Sequence, residues 1–416
     1  MENLKIKVDL VIKNANQILT MNEKYDDILG LLTNKCIAIK NDSILFIGSE
    51  KELNEKITYK KHNVIDGNKK VVLPGFIDSH THVVFGGTRV AEYVIKVRSD
   101  DPKELERNNI KTGIMASVDM TRPLSKEELI IQTSKRLNNM LKNGTTTVES
   151  KSGYGLTLES EIKMLEVNKE LNQIHDIDIV STFLGAHGWP NDIKKEKYID
   201  ILTKEMIPKV SSLNLAKFND IWCDEGHFDV LECEKILGCG IDYNLKPKIH
   251  TGAYSYIGGS DLAASMNMVS ADHLNYTPKK SLKKLKEANV VGVLLPAIDF
   301  AVRHENPFNP ITMIEENMDL ALATNCCPGC FCESMQFVLT LACRNHKMSV
   351  EHAIKASTLG GAKALGLDDR GKIEIGKIAD IQIWDIDNYE EVVYRLGSNV
   401  VETVIKKGKV VFKKGS

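Results

Sequence analysis

The residues best placed to do chemistry are His80 and His82, which close the apolar run VVLPGFIDSHTH. In a β-strand, side chains two apart share a face, so both imidazoles would point the same way and suit one Zn²⁺ or Fe²⁺. The plainer reading is a pair of interior histidines satisfied by hydrogen bonds. His250, ending KPKIHTGAY, offers a third imidazole. His273, in SADHL, fits a proton carrier or substrate donor, because imidazole titrates near neutrality. A second dense stretch, DLALATNCCPGCFC (319–332), holds four of the nine cysteines. A thiolate of Cys326 or Cys327 could ligate metal, or Cys327 and Cys330 could form a redox pair or metal clip. Alternatively the thiols are small apolar fillers, the usual behaviour of free cysteine.

Eight runs must position these groups: VVLPGFIDSHTH, GTTTVESKSGYG, DIVSTFLGAHG, LAKFNDIWCDEG, KPKIHTGAY, NMVSADHLN, NVVGVLLPAID and DLALATNCCPG. Helical patterns separate them, as at Lys126–Lys142 and Leu158–Leu171, the latter with Ile162, Leu165 and Lys169 on one face. Eight strands alternating with helices over 71–366 imply an α/β fold, a (β/α)₈ TIM barrel. Its active site belongs at the C-terminal strand ends. The polar residues there are His80, His82, Lys151, Tyr154, His187, Asp224, Glu225, His250, Asp272, His273, Asp299 and Asn325, which include five of the eleven histidines. The two ends of the chain, 1–70 and 367–416, alternate at period two and read as one composite β-sandwich.

Composition narrows the partners. An apolar share of 43% and a charged share of 26% are ordinary for a globular chain. A net charge of −2 with interspersed signs argues against nucleic acid or an anionic membrane as partner. The opening MENLKIKVDLVIKNANQI reads as neither signal peptide nor anchor, and runs such as Val290–Leu295 are far too short to span a bilayer. Nine unevenly spaced cysteines suggest the reducing cytoplasm.

LPGFIDSHTHVVFGGTR, TTTVESKSGYGL, TFLGAH, SADHL and GKIEIGKIADIQIWD resemble the imidazolonepropionase family, within the metal-dependent amidohydrolase superfamily, nearly end to end. The resemblance implies a barrel with a terminal β-sandwich, one divalent metal (Zn or Fe), and opening of 4-imidazolone-5-propionate to N-formimidoyl-glutamate in histidine degradation. It also implies a homodimer. It places metal ligands at His80, His82, His250 and the end of strand eight, here Asn325. Substrate contacts fall on Arg89, Tyr154 and His187, an arginine suiting a propionate carboxylate through its planar fork. Catalytic roles fall on His250, His273 and Asn325.

Three departures stand out. The family aspartate at strand eight is Asn325, and the family glutamate three residues past His250 is Ala253. A glycine-rich family segment is replaced at 99–114 by SDDPKELERNNIKTGI. An amide cannot take the proton of a metal-activated water, and alanine cannot move one. Alternatives to the family reaction therefore stand: a related amidohydrolase for another imidazolone, hydantoin or thiohydantoin ring, or a catalytically impaired barrel that binds a ligand or partner.

Overall fold

The computed structural model describes residues 5–25, 27–99, 101 and 103–415. Eight parallel strands run in order around a barrel: β1 (Phe76–Asp78), β2 (Thr145–Lys151), β3 (Asp178–Ala186), β4 (Phe218–Cys223), β5 (Ile249–Thr251), β6 (Ser270–His273), β7 (Val291–Leu294) and β8 (Leu320–Leu322). Each expected run carries one of them. The circle closes just beyond β1 and β8, where Asn325 N donates to His80 O at 3.1 Å and His82 N to Cys326 O at 2.9 Å.

Helices return the chain between strands. The helix Lys126–Lys142 begins with a capping box between Ser125 and Glu128, which satisfies amides that the first turn leaves free. Leu158–Ile174 extends three residues past its expected end. Its buried face carries Met164, Leu165, Val167 and Leu171, whereas Lys169 is exposed. Lysine shares the helical period of Ile162 and Leu165 but not their reason for burial.

Both chain ends build a two-sheet sandwich. One sheet orders Lys409–Lys413, Val401–Lys406, Ile381–Trp384, Val71–Pro74, Gln17–Leu19 and Leu31–Leu32; the other orders Ser43–Gly48, Cys36–Lys40, Leu10–Lys13 and Val64–Asp66. Val71–Pro74 therefore joins the terminal sheet, antiparallel to Ile381–Trp384, and only from Phe76 does the chain enter the barrel. Gly75 and Phe76 mark the crossing: Gly75 N bonds Asp380 O in the sandwich, and Phe76 N bonds Gly144 O in the barrel, both at 2.9 Å. Nine of the thirteen buried residues of the sandwich core are isoleucine, whose branched Cβ packs well on pleated sheets. Asp178, at the base of β3, ties the two parts together by accepting from Arg370, Lys406 and Lys407. Those cations hold its carboxyl far below the usual range although burial opposes them.

Candidate metal centre and active site

Alternation along the strands aims one residue in two into the barrel. On β1 and its extension these are Asp78, His80 and His82; on β2, Glu149 and Lys151; on β4, Asp220 and Trp222; on β5 and the residue before it, His250 and Lys248. Neighbouring registers align the upper members, Trp222 beside His250 and His250 beside Asp272.

His80, His82 and His250 converge, with one ring nitrogen of each within 4.8 Å of the others. All three are nearly sealed from water, yet His80 Nε2, His82 Nδ1 and His250 Nε2 have no hydrogen-bond partner. Buried polar atoms are normally satisfied, so three imidazoles that lie together and carry unpartnered nitrogens fit a divalent metal. His80 is already turned for the purpose: its Nδ1 sits 2.6 Å from Asp272 Oδ2, leaving Nε2 to face the cluster. His250 Nδ1 is 3.1 Å from Asp220 Oδ2, though off the axis of a hydrogen bond.

Beneath the histidines lies a fully buried layer of charge. Lys151 Nζ reaches Asp220 at 2.6 Å, Glu149 at 3.0 Å and Asp272 at 3.5 Å. Lys248 Nζ donates to Glu149 Oε1 at 2.8 Å. Burial disfavours the charged lysine, but three carboxylates outweigh it and raise the Lys151 pKa. Sequence reasoning placed Lys151 and Asp272 at strand ends but overlooked Glu149, Asp220 and Lys248. Their signal was present: each stands two residues before a residue already expected at the strand end or, for Asp220, before Trp222.

The cavity above, about 410 Å³, is lined by His82, Arg89, Tyr154, His187, Trp222, His250, Tyr254, His273 and Asn325 among others. Every residue singled out for metal, substrate or catalysis thus reaches this site, His80 from just below it. The loop Ser152–Leu156 is folded around Glu161, whose carboxylate accepts from Gly153, Gly155 and Leu156 amides at 2.8–3.0 Å. Gly153 takes φ 102, and a Cβ there would press 2.8 Å from Leu184 O, so the sharp turn that delivers Tyr154 needs glycine. His187 Nδ1 faces Gly153 O at 3.2 Å, while its ring stacks on His82 at 4.9 Å. Burial presses the His187 pKa down to about 3 and holds His82 and His273 well below the ordinary histidine range, so all three are neutral near pH 7.

Arg89 is not idle. Its Nε and Nη2 each donate to buried Glu92 at 2.6 Å, and Lys96 bonds the same carboxylate. Its third nitrogen, Nη1, points at Gly329, where a Cβ would come within 3.2 Å. Asn325 adopts φ 51, a left-handed conformation that asparagine tolerates better than most residues. Ala253 N bonds Asp224 Oδ2, and His304 Nε2 donates to Ala253 O at 2.7 Å, so the backbone at this position is tightly held.

Other strand-end residues have structural duties. Asp224 accepts from the backbone of 253–255, Glu225 is exposed, and Asp299 accepts two bonds from Asn275 at 3.0 Å. Of the departing segment 99–114, Thr112, Gly113 and Ile114 line the cavity; Asp100 and Pro102 lie outside the described residues. All nine cysteines are free. Among the described residues no metal-competent group includes one, and burial raises the pKa of Cys326, Cys327, Cys330 and Cys332. The mutual backbone bonds of Cys327 and Cys330, 3.0 and 3.1 Å, make a tight turn packed with small thiols. All four thiols are buried, as the filler reading expects, and Cys327 also lines the cavity.

The model of the Amidohydrolase family matches residues 241–411. An imidazolonepropionase of Alkaliphilus oremlandii (strain OhILAs) is 38% identical over 423 residues, covering 99% of this chain and 100% of the relative. An imidazolonepropionase of Clostridium tetani (strain Massachusetts / E88) is 37% identical over 419 residues, covering 98% of this chain and 99% of that one. Among solved structures, a zinc-bound adenosine deaminase from Xanthomonas campestris superposes with a TM-score of 0.74 at 17% identity, covering 98% of this chain and 93% of its own. That last likeness concerns the fold alone. No helix among the described residues is long and apolar enough to cross a membrane.

Proposed function

The chain belongs to the imidazolonepropionase family of metal-dependent amidohydrolases, and we propose that its barrel-mouth site carries out that family's reaction, the hydrolysis of 4-imidazolone-5-propionate to N-formimidoyl-glutamate. The observation that carries this reading is the convergence of three buried imidazoles with unpartnered nitrogens in a chain matched end to end by imidazolonepropionases. His80, His82 and His250 would hold one Zn²⁺ or Fe²⁺, with the Asn325 carbonyl oxygen as an uncharged fourth donor. Such an ion, when bound, supplies Lewis acidity that polarises the ring carbonyl and activates water.

The chain's own residues do the rest. Water adds its oxygen to the ring carbonyl carbon, the carbon–nitrogen bond breaks, and the released nitrogen takes a proton. His273, whose ring centre is 5.4 Å from that of His250, stands where it can take the water proton on a ring nitrogen and pass it on, although burial, which holds it well below the ordinary histidine range, makes it a weak base. It does this without the glutamate that Ala253 replaces, which predicts slower turnover than a carboxylate-assisted site, by about 10²–10⁴ at most. Tyr154 and His187 hold the ring's polar edge. Arg89 meets the propionate carboxylate through Nη1, or by exchanging Glu92 for it; Lys96 adds a second cation nearby.

Cytoplasmic location, a homodimeric state and the absence of nucleic-acid or membrane partners belong to the same proposal. The near-neutral charge supports the last of these, and the homodimer rests on the family resemblance alone. The test is to assay the purified chain on 4-imidazolone-5-propionate while measuring metal by elemental mass spectrometry. About one zinc or iron per chain with ring opening is expected. His80→Ala should lose metal and activity together; activity in a metal-free variant would rule the mechanism out.

A further inference from the structure

Trp222 shares the inward face of β4 with Asp220 and reaches the cavity beside His250. It is also pinned on two sides. His227, returned by the turn 224–227, stacks on the indole at 3.7 Å and 14°, and the indole N–H donates to Asp224 Oδ2 at 3.1 Å. Asp224 cannot swing, because its oxygens also accept from Ala253 N, Ser255 N and Ser255 Oγ at 2.7–3.0 Å. Burial holds the His227 pKa near 4, so its ring is uncharged at neutral pH and the stack is one of neutral rings. The remaining wall carries His187 and Tyr254, with ring centres 5.6 and 6.4 Å from the indole.

We propose that Trp222, fixed by His227 and Asp224, is the platform on which the planar five-membered ring of the substrate lies, and that it sets the site's preference for unsaturated nitrogen rings over open-chain carboxylates. The inference deepens the imidazolone reading and rests on it. An immobilised aromatic face costs no ordering on binding, and offset stacking adds to the area it buries. A flat amidine-containing ring gains from such a face; a flexible dicarboxylate does not. Trp222 touches substrate without moving protons, so its contribution belongs to binding.

Fluorescence tests this directly, because Trp222 is the one of three tryptophans that lines the cavity; Trp384 is buried in the terminal sheet and Trp189 packs by Phe228. Imidazole-4-propionate, a ring that water cannot open, should change the emission of the native metal-loaded chain saturably. Glutarate, a flexible open-chain dicarboxylate with no ring, should not. In Trp222→Phe the signal should vanish while calorimetry still records binding. Trp222→Leu should raise KM for imidazolonepropionate about tenfold with kcat within about threefold, and Trp222→Phe should restore KM. Emission unchanged by calorimetrically bound imidazole-4-propionate, no binding at millimolar ligand, or an unaltered KM in Trp222→Leu would each overturn the platform. A native chain that shows the emission change but opens no imidazolone would sink the activity and leave the platform standing.

Discussion

Two interiors in this molecule are equally sealed and oppositely built. The terminal sandwich encloses a packed cluster of isoleucine and other aliphatic side chains, with few buried polar groups, such as Gln382 and Thr403, beside it. The barrel beneath the histidines encloses Glu149, Asp220 and Asp272 with Lys151 and Lys248, all fully buried. Apolar burial is roughly proportional to area and has no direction, so it stabilises without aiming anything. Buried ion pairs scarcely stabilise at all, since desolvation offsets attraction, but they point their members in fixed directions. The barrel has exchanged stability for aim: Asp272 turns His80, and Asp220, gripped by Lys151, lies against His250.

That contrast can be broken in three places. The largest effect is expected for Lys151→Met, which leaves three carboxylates facing one another. Denaturant unfolding should register a loss of about 3–5 kcal/mol. A loss under about 1 kcal/mol would mean that the layer is not the paired network described. Asp272→Asn keeps the volume and removes the charge behind His80. Chelator competition should show metal bound about 10–100-fold more weakly. Unchanged affinity would show that the carboxylate does not orient the ligand. The smallest effect belongs to the sandwich: Ile383→Val should cost about 0.5–1.5 kcal/mol and leave metal affinity untouched. A shift in metal affinity there would erase the division of labour between the two interiors.

The barrel was legible because each strand is a short apolar run closed by polar residues, and the run's period shows which side chains share a face. His80, His82 and His250 followed from that, together with the cavity's Tyr154, His187 and His273. The buried charges were missed for a concrete reason. Glu149, Asp220 and Lys248 sit mid-strand, where charge ordinarily argues against burial, and only the opposing strands supply the counter-charge that permits it. Arg89 was read as a fork for the substrate carboxylate, but two of its nitrogens are taken by Glu92, three residues along on the helix Val90–Arg98, a pairing only the fold reveals. Val71–Pro74 was read into the barrel because the same apolar run serves the sandwich first; its partner, Ile381–Trp384, lies some 300 residues away.

By itself, the sequence determined the strand order, the faces of the strands and the family, since periodicity and motif are local properties of the chain. Tertiary structure alone decided which buried charges are paired, which edge of Arg89 remains free, that the thiols of 326–332 are buried in a tight turn, and that Trp222 is pinned between His227 and Asp224 at the cavity wall. Each of those depends on the distance between groups far apart in the chain, and distance is what desolvation and Coulomb energy respond to.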